Sequence, residues 1–333
     1  MSKVTVLFIF LLFASALKAQ ILPNFGGQRA GISTLSFLKN DLNPESLGMS
    51  GASAALDGTA YSAISNPAGL SKLEHTSFAA SHFVLGAGIQ QSYFAWFQKL
   101  GNEGSLGLAI NSLNSGALKV RTEFQPNGTG QLFYVNFSSI GVNYAQRLSD
   151  MFNVGVAVNY IYESIAEYKN HTATVNIGFL YETDFKDLKF AVNIQNFGGN
   201  SSLTGDVLPI DFNRDEPAVG EYTVPTIFKM GFSFVPYVKD KHKILFSAQL
   251  NNPNDNSENI RFGCAYDFAG LMQVQTGYKL SVAGQSYPSL GLAYRSRVGN
   301  NPLYFRYSIN PTNYMGTQHL FGIEFQRVKA TRN

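Results

Sequence analysis

With 333 residues the chain is long enough for one large domain or two ordinary ones, and its 14% of charged side chains falls well below the ~25% of soluble globular proteins. The net charge of +3 is spread along the sequence without any Lys/Arg block, which sets aside a nucleic-acid interface. Beyond the N-terminus no apolar run approaches the ~20 residues of a spanning helix, yet 45% of residues are hydrophobic, so the composition points to strands in a membrane.

Met1-Ser2-Lys3, the apolar run Val4 to Phe13 and the small-residue end Ala14-Ser15-Ala16-Leu17-Lys18-Ala19 have the build of a cleavable secretory signal over residues 1–19. Gln20 and not a cysteine stands directly after the expected cleavage at Ala19, which argues against a lipid anchor, and Cys264, the single cysteine, has no partner for an internal disulfide. Residues 20–75 are rich in Gly, Ala, Ser and Asn and lack sustained period-2 alternation, so they read as an N-terminal hatch or plug. Within it Asn66-Pro67-Ala68-Gly69 offers a cap residue followed by proline at the first helical position, which predicts a short helix from Pro67 to about Leu73.

From Thr76 the pattern changes to apolar and polar residues in alternation between recurring turn signals. In Ile260 to Phe268, Ile260, Phe262, Cys264, Tyr266 and Phe268 oppose Arg261, Gly263, Ala265 and Asp267; Met272 to Leu280 and Leu303 to Ile309 divide in the same way. A soluble sandwich alternates too, but many of these segments reach about ten residues, the length of a tilted membrane-spanning strand. Lys189, Lys229, Arg261, Lys279, Arg306 and Glu324 all fall on the polar face, which in a barrel lines the lumen. Tight connections near 101–102, 149–150, 184–187, 238–241, 269–270 and 299–301 alternate with longer ones at 115–131, 166–170, 198–222, 252–257, 282–286 and 311–316. The expectation is an all-β protein: a transmembrane antiparallel β-barrel of about fourteen strands over 76–327, a plug with one short helix ahead of it, and a tail at 328–333. The strand-like stretch Leu118 to Phe124 is placed in an extracellular excursion, since counting it would break the alternation.

The five histidines show no spacing that puts two on one face as metal ligands, and the glycines of Gly86-Ala87-Gly88 and Gly128-Thr129-Gly130 open no helix after a strand. No nucleophile and base stand in a local motif, so the chain reads as a non-enzyme without a cofactor. One irregularity stands out between Leu132 and Arg147. Phe133, Val135 and Phe137 share a face, but Ile140, Val142 and Tyr144 fall on the other, which predicts a bulge at Ser138-Ser139 and, with it, a lateral opening in the wall.

The motifs Leu47-Gly48-Met49-Ser50-Gly51-Ala52, Asn66-Pro67-Ala68-Gly69-Leu70, Gly128-Thr129-Gly130-Gln131-Leu132-Phe133, Tyr144 to Gly155 and Asn196-Phe197-Gly198-Gly199 together resemble the PorV/PorQ family of outer-membrane proteins, whose fold is similar to FadL-type fatty-acid transporters. The stretch Pro44-Glu45-Ser46 departs from that family's commoner Arg-containing head motif. The resemblance implies a FadL-like barrel with an N-terminal hatch in the bacterial outer membrane, embedded in its lipid. It also implies a role as an accessory of type IX secretion or related surface export, through contacts with translocon components or with cargo carrying C-terminal signal domains. Phe124, Phe133, Phe212 and Tyr222 in the large loops are candidate contacts, because loops on rigid scaffolds carry function. A FadL-like passive channel for a hydrophobic small molecule is the alternative expectation.

Overall fold

The computed structural model describes residues 31–101, 103–205, 220–282, 284–285 and 287–328. The expected signal segment 1–19, the loop residue Phe212 and the tail beyond residue 328 lie outside the described residues.

The strands are β1 (Thr76–Gly86), β2 (Ile89–Leu100), β3 (Gly104–Asn114), β4 (Leu118–Lys119), β5 (Leu132–Phe133), β6 (Val135–Arg147), β7 (Phe152–Ile165), β8 (Tyr168–Glu182), β9 (Lys189–Gly198), β10 (Ile227–Lys239), β11 (His242–Pro253), β12 (Asn259–Phe268), β13 (Met272–Leu280), β14 (Ser289–Val298), β15 (Asn301–Thr312) and β16 (Gly316–Arg327). All except β4 and β5 close into one antiparallel barrel of fourteen strands, in which β1 pairs with β16 so that Phe78 faces Phe325 and Ala80 faces Ile323. Closure leaves no unpaired sheet edge in hydrocarbon. β4 and β5 form a separate two-stranded ribbon in the long excursion between β3 and β6.

Along β6 the side chains of Ser139, Gly141, Asn143 and Ala145 are buried and those of Ile140, Val142 and Tyr144 exposed. The outer face is therefore apolar, as a lipid-facing wall requires. The connections 101–103, 148–151, 183–188, 240–241, 269–271 and 299–300 share one rim with the first strand's start, while the excursions 115–134 and 199–226 leave from the other, an asymmetry that makes the first rim periplasmic even though Ala87-Gly88 turns tightly at the outer one. One connection expected to be long is tight: β7 and β8 run on past the rim and are joined by Ala166 and Glu167 alone.

The bulge expected at Ser138-Ser139 is not there. Pairing runs without interruption from Phe137 to Ile140 against β3 (Leu113 to Ile110) and against β7 (Glu163 to Tyr160). The apolar pattern changes parity because the inner neighbour changes. Phe137 points into the lumen onto the Phe37 ring, 5.3 Å away between centroids, while Asn136 and Ser138 take the outer face near the rim. The lateral opening inferred from that bulge falls with it. Register does shift in β8–β9, between Val175 and Ile177. There Asn196 sits at φ +54°, a left-handed conformation that asparagine tolerates better than most residues, and its N–H donates to Asn176 Oδ1 (2.7 Å).

Residues 31–75 fill the lumen. They contain two short helices, α1 (Pro44–Gly48) and α2 (Ser62–Ser65), and two 3-10 turns, Ser36–Lys39 and Pro67–Lys72. Pro44 and Pro67 open their elements behind Asn43 and Asn66, whose side chains accept the N–H of Glu45 (3.1 Å) and Ala68 (3.0 Å). The plug is seated on inward-facing glycines of the wall. Gly155 lies against Pro67, Gly178 against Asn66, Gly263 and Gly277 against Met49, Gly291 against Gly48, and Gly322 against Pro44 and Tyr61. A side chain at any of these would occupy space the plug already holds.

Candidate functional site

The seam between plug and wall has two characters. On the side of β1, β2, β3 and β6 it is mainly hydrocarbon: Phe37, Leu42, Leu70 and Leu73 of the plug are buried with Phe83, Tyr93, Phe97 and Leu113 of the wall, and Ser81 Oγ and Gln91 Nε2 donate to Leu42 O (2.7 Å) and Phe37 O (3.1 Å). On the side of β10 to β14 the wall presents polar side chains that grip the plug backbone. Gln249 Oε1 accepts the N–H of Ser53 (3.0 Å) and of Ala54 (2.7 Å), Ser233 Oγ donates to Ala55 O (3.1 Å), and Ser289 Oγ donates to Gly48 O (3.0 Å).

Among the described residues four ion pairs bind charged side chains in the lumen. Arg306 Nη1 meets Glu324 Oε2 at 2.7 Å, both buried, and the other Glu324 oxygen accepts the Ala60 N–H (2.9 Å). Lys189 pairs with Asp57 (2.8 Å), Lys72 with Glu182 (2.8 Å) and Lys39 with Asp255 (2.6 Å). Burial pushes the Asp57 carboxyl above its ordinary value, an effect that the Lys189 ammonium only partly offsets. At Asp255 burial raises the pKa, but donation from Lys39 and from the Ser33 hydroxyl outweighs it and the carboxyl titrates below the ordinary value of 3.8. Tyr61 OH reaches Ala80 O (2.6 Å) and Ile323 O (3.0 Å), so one plug residue bridges the first and last strands from inside. Burial raises its pKa, and the hydroxyl stays a donor.

On the outer half of the hydrocarbon side a cavity of about 70 Å³ lies between plug and wall. The plug contributes Leu38, Asn40, Leu42, Ala63 and Ile64; the wall contributes Tyr93, Ala109, Asn111, Ser139, Asn143, Asn159, Asn176, Gln195 and Asn196. Its lining carries no charge. One face is apolar and the other is a bank of amides, a surface suited to a neutral molecule with a hydrocarbon body. The β8–β9 register shift stands at its edge, through Asn176, Gln195 and Asn196.

Of the sequence-selected residues, Asn66, Pro67, Ala68 and Gly69 act as a docking clip. Asn66 Nδ2 donates to Ala54 O (2.9 Å) and Phe179 O (3.1 Å), Pro67 rests on Gly155, and Gly69 packs against Leu56 O. Ser139 lines the cavity, while Ser138 takes the outer face. Phe124 is 94% exposed at a loop tip, Tyr222 is exposed at the outer rim, and Phe133 is half-buried in the ribbon with β4. These loop residues stand apart from the cavity. The amide bank was not singled out from the sequence, although Asn111, Asn143, Asn159 and Asn176 recur at inward positions of successive strands and could have been read as a lining.

Solved structures place this architecture. The toluene transporter TbuX of Ralstonia pickettii superposes with a TM-score of 0.57 at 13% identity, over 86% of this chain and 98% of that one. The monoaromatic hydrocarbon channel CymD gives 0.57 at 12%, over 92% and 100%, and a Pseudomonas aeruginosa FadL homologue 0.51 at 9%, over 89% and 99%. The chain has the fold of a FadL-like outer-membrane barrel. No family model and no curated protein matches the sequence, so the PorV/PorQ resemblance rests on its motifs alone.

Proposed function

We propose that this FadL-like protein is a passive outer-membrane channel for small, uncharged hydrophobic molecules. The reading is carried by the neutral cavity between plug and wall, where Leu38, Leu42, Ile64 and Tyr93 offer hydrocarbon and no ionised group intrudes. Its neighbours in fold include two proteins named for toluene or monoaromatic hydrocarbon passage, which supports the same ligand class. At about 70 Å³ the cavity takes little more than a few waters as it stands, so passage requires the plug to yield on its hydrocarbon side. That side is packed largely by hydrocarbon contacts, which reform readily after a shift, so the bonds that passage must loosen there are few, chiefly Ser81 Oγ to Leu42 O (2.7 Å), Gln91 Nε2 to Phe37 O (3.1 Å) and Gln195 Nε2 to Ile64 O (2.6 Å).

The test is uptake of radiolabelled toluene and of a long-chain fatty acid by cells whose outer membrane carries this protein as its sole channel of the type. Uptake above that of cells lacking it is expected, and Ala109→Phe, which fills the cavity from the wall, is expected to abolish the gain while the barrel stays folded. No gain for either compound overturns the reading.

A second reading, an accessory barrel of type IX secretion or related surface export, is favoured by the exposed aromatics of the outer loops: Phe124 (94%), Tyr314 (86%) and Tyr287 (61%). Co-purification from membranes with a translocon barrel or with cargo bearing a C-terminal signal domain decides it.

A further inference from the structure

At the outer rim, on the strands that follow β9 round the barrel, a second cavity of about 340 Å³ opens between the ends of β10, β11, β12 and β13. Three cations line it, Lys39 from the plug and Arg261 and Lys279 from the wall, with Asn251 and Asn259 between them. Its single carboxylate, Asp255, is already engaged by Lys39 Nζ at 2.6 Å and by the Ser33 hydroxyl. Arg261 Nε donates to the neutral Asn259 Oδ1 (2.9 Å). Among the described residues neither Arg261 nor Lys279 has a carboxylate within ion-pair distance, and the same is true of Lys229, which faces inward two residues from the cavity-lining Ile227.

The charge count decides what such a place can hold. Lys39, Arg261, Lys279 and Lys229 bring four basic side chains; Asp255 and Asp41, the other carboxylate acting on this group, bring two acidic ones. Asp41 is itself turned to the Ser46 hydroxyl and the Asn43 N–H. Two basic side chains are left without a carboxylate inside a protein-walled mouth, where their charged forms are costly unless an anionic partner arrives. Arg261 is held in place by the plug, since its guanidinium packs on Gly51, where no side chain fits. Ser257 and Ser281 add hydroxyl donors, and Asp255 Oδ1, buried without a donor among the described residues, offers one acceptor for a neighbouring hydroxyl.

From this juxtaposition we propose that the outer mouth beside β12 and β13 is a binding site for a dianionic oxyanion, a phosphate or sulfate, free or as the ester of a hydroxylated solute. Tetrahedral oxyanions accept from several N–H and O–H donors at once, which a guanidinium, an ammonium, amides and serines supply together. The site does not depend on hydrocarbon passage: among the described residues it shares no lining residue with the neutral cavity, although the two are neighbours through the Ile227–Gln195 strand pair and the plug segment Leu38 to Asn40.

The experiment is calorimetric titration of inorganic phosphate, and separately of sulfate, into the full-length protein in phosphatidylcholine nanodiscs at constant chloride. Saturable binding near one equivalent is expected for both. Lys279→Gln and Arg261→Gln are each expected to weaken it about tenfold or more, and Lys243→Gln at the periplasmic end to leave it unchanged. Retention of the heat-modifiable folded band on gels keeps loss of binding distinct from loss of fold. A second arm replaces part of the phosphatidylcholine with phosphatidic acid: competition with inorganic phosphate assigns the oxyanion to a lipid headgroup, and its absence assigns it to a soluble ester. Absence of saturable phosphate and sulfate binding, or wild-type affinity in folded Lys279→Gln, overturns the proposal. Uptake of toluene in Lys279→Gln is expected to be unchanged, so failure here and failure of the channel reading remain separable.

Discussion

Around β1, β2, β3 and β6 the plug meets its barrel through Phe37 on Phe137, through leucines and through the Tyr61–Tyr93 ring pair (6.0 Å), whereas around β10 to β16 it meets glycine, amide and charge. Hydrocarbon contacts tolerate displacement; a backbone N–H held by Gln249, or a carboxylate shared by Arg306 and Ala60, tolerates little. The contrast teaches where a rigid-looking plug can move. It is anchored most firmly along the polar half and gives more readily along the apolar half beside the neutral cavity, where hydrocarbon packing predominates and the Ser81, Gln91 and Gln195 side chains supply the hydrogen bonds that must loosen.

Three changes would break or sharpen that contrast. The largest effect is expected from Glu324→Ala, which strands the Arg306 guanidinium in a buried site and should cost about 3–5 kcal/mol. The readout is the urea unfolding midpoint of the barrel in lipid vesicles. The double variant Arg306→Leu/Glu324→Leu should recover most of that loss, because no lone charge remains. Next is Gly277→Ala. Its Cβ would stand 2.5 Å from Met49 O, and forcing the plug off this seat should cost about 1–3 kcal/mol by the same measurement, whereas Gly199→Ala, with open space around it, should be neutral. The smallest effect is expected from pH. Because the folded pKa of Asp255 is depressed, its contribution is complete above 3.8 and fades as the pH falls through the lower folded value, loosening the Lys39 tether. Hydrogen exchange at residues 33–39 should rise over that interval in the wild type and already be high at neutral pH in Asp255→Asn.

The barrel was legible because its signal is repeated: each strand such as Ile260 to Phe268 carries its own alternation, and lipid on one side enforces it. The inner surface was harder to read, since side chains there answer to the plug and not to a uniform solvent. Phe137 shows how this misleads. An aromatic on the inner face looked like a register slip, when it was the wall's reply to Phe37. The glycines were visible as members of the polar face, at Gly263 and Gly277 for example, but their meaning needed the partner: a missing Cβ on a lumen-facing position marks where another backbone sits. The amide-lined cavity draws on residues from Leu38 to Asn196 that the closed ring brings together, and its one signal in the sequence is the asparagine repeated at inward positions of β3, β6, β7 and β8.

The Tyr61 hydroxyl touches both Ala80 and Ile323, residues whose strands are the two ends of the ring. Joining those ends demands the longest chain closure in the molecule, and such closures are slow to form because their entropy is lost before contacts reward it. A residue that grips both sides at once acts as a template for the last step of assembly. Removing it with Tyr61→Phe should therefore slow insertion into the bilayer more than it weakens the finished protein, which would make the interior segment an assembly factor for its own enclosure.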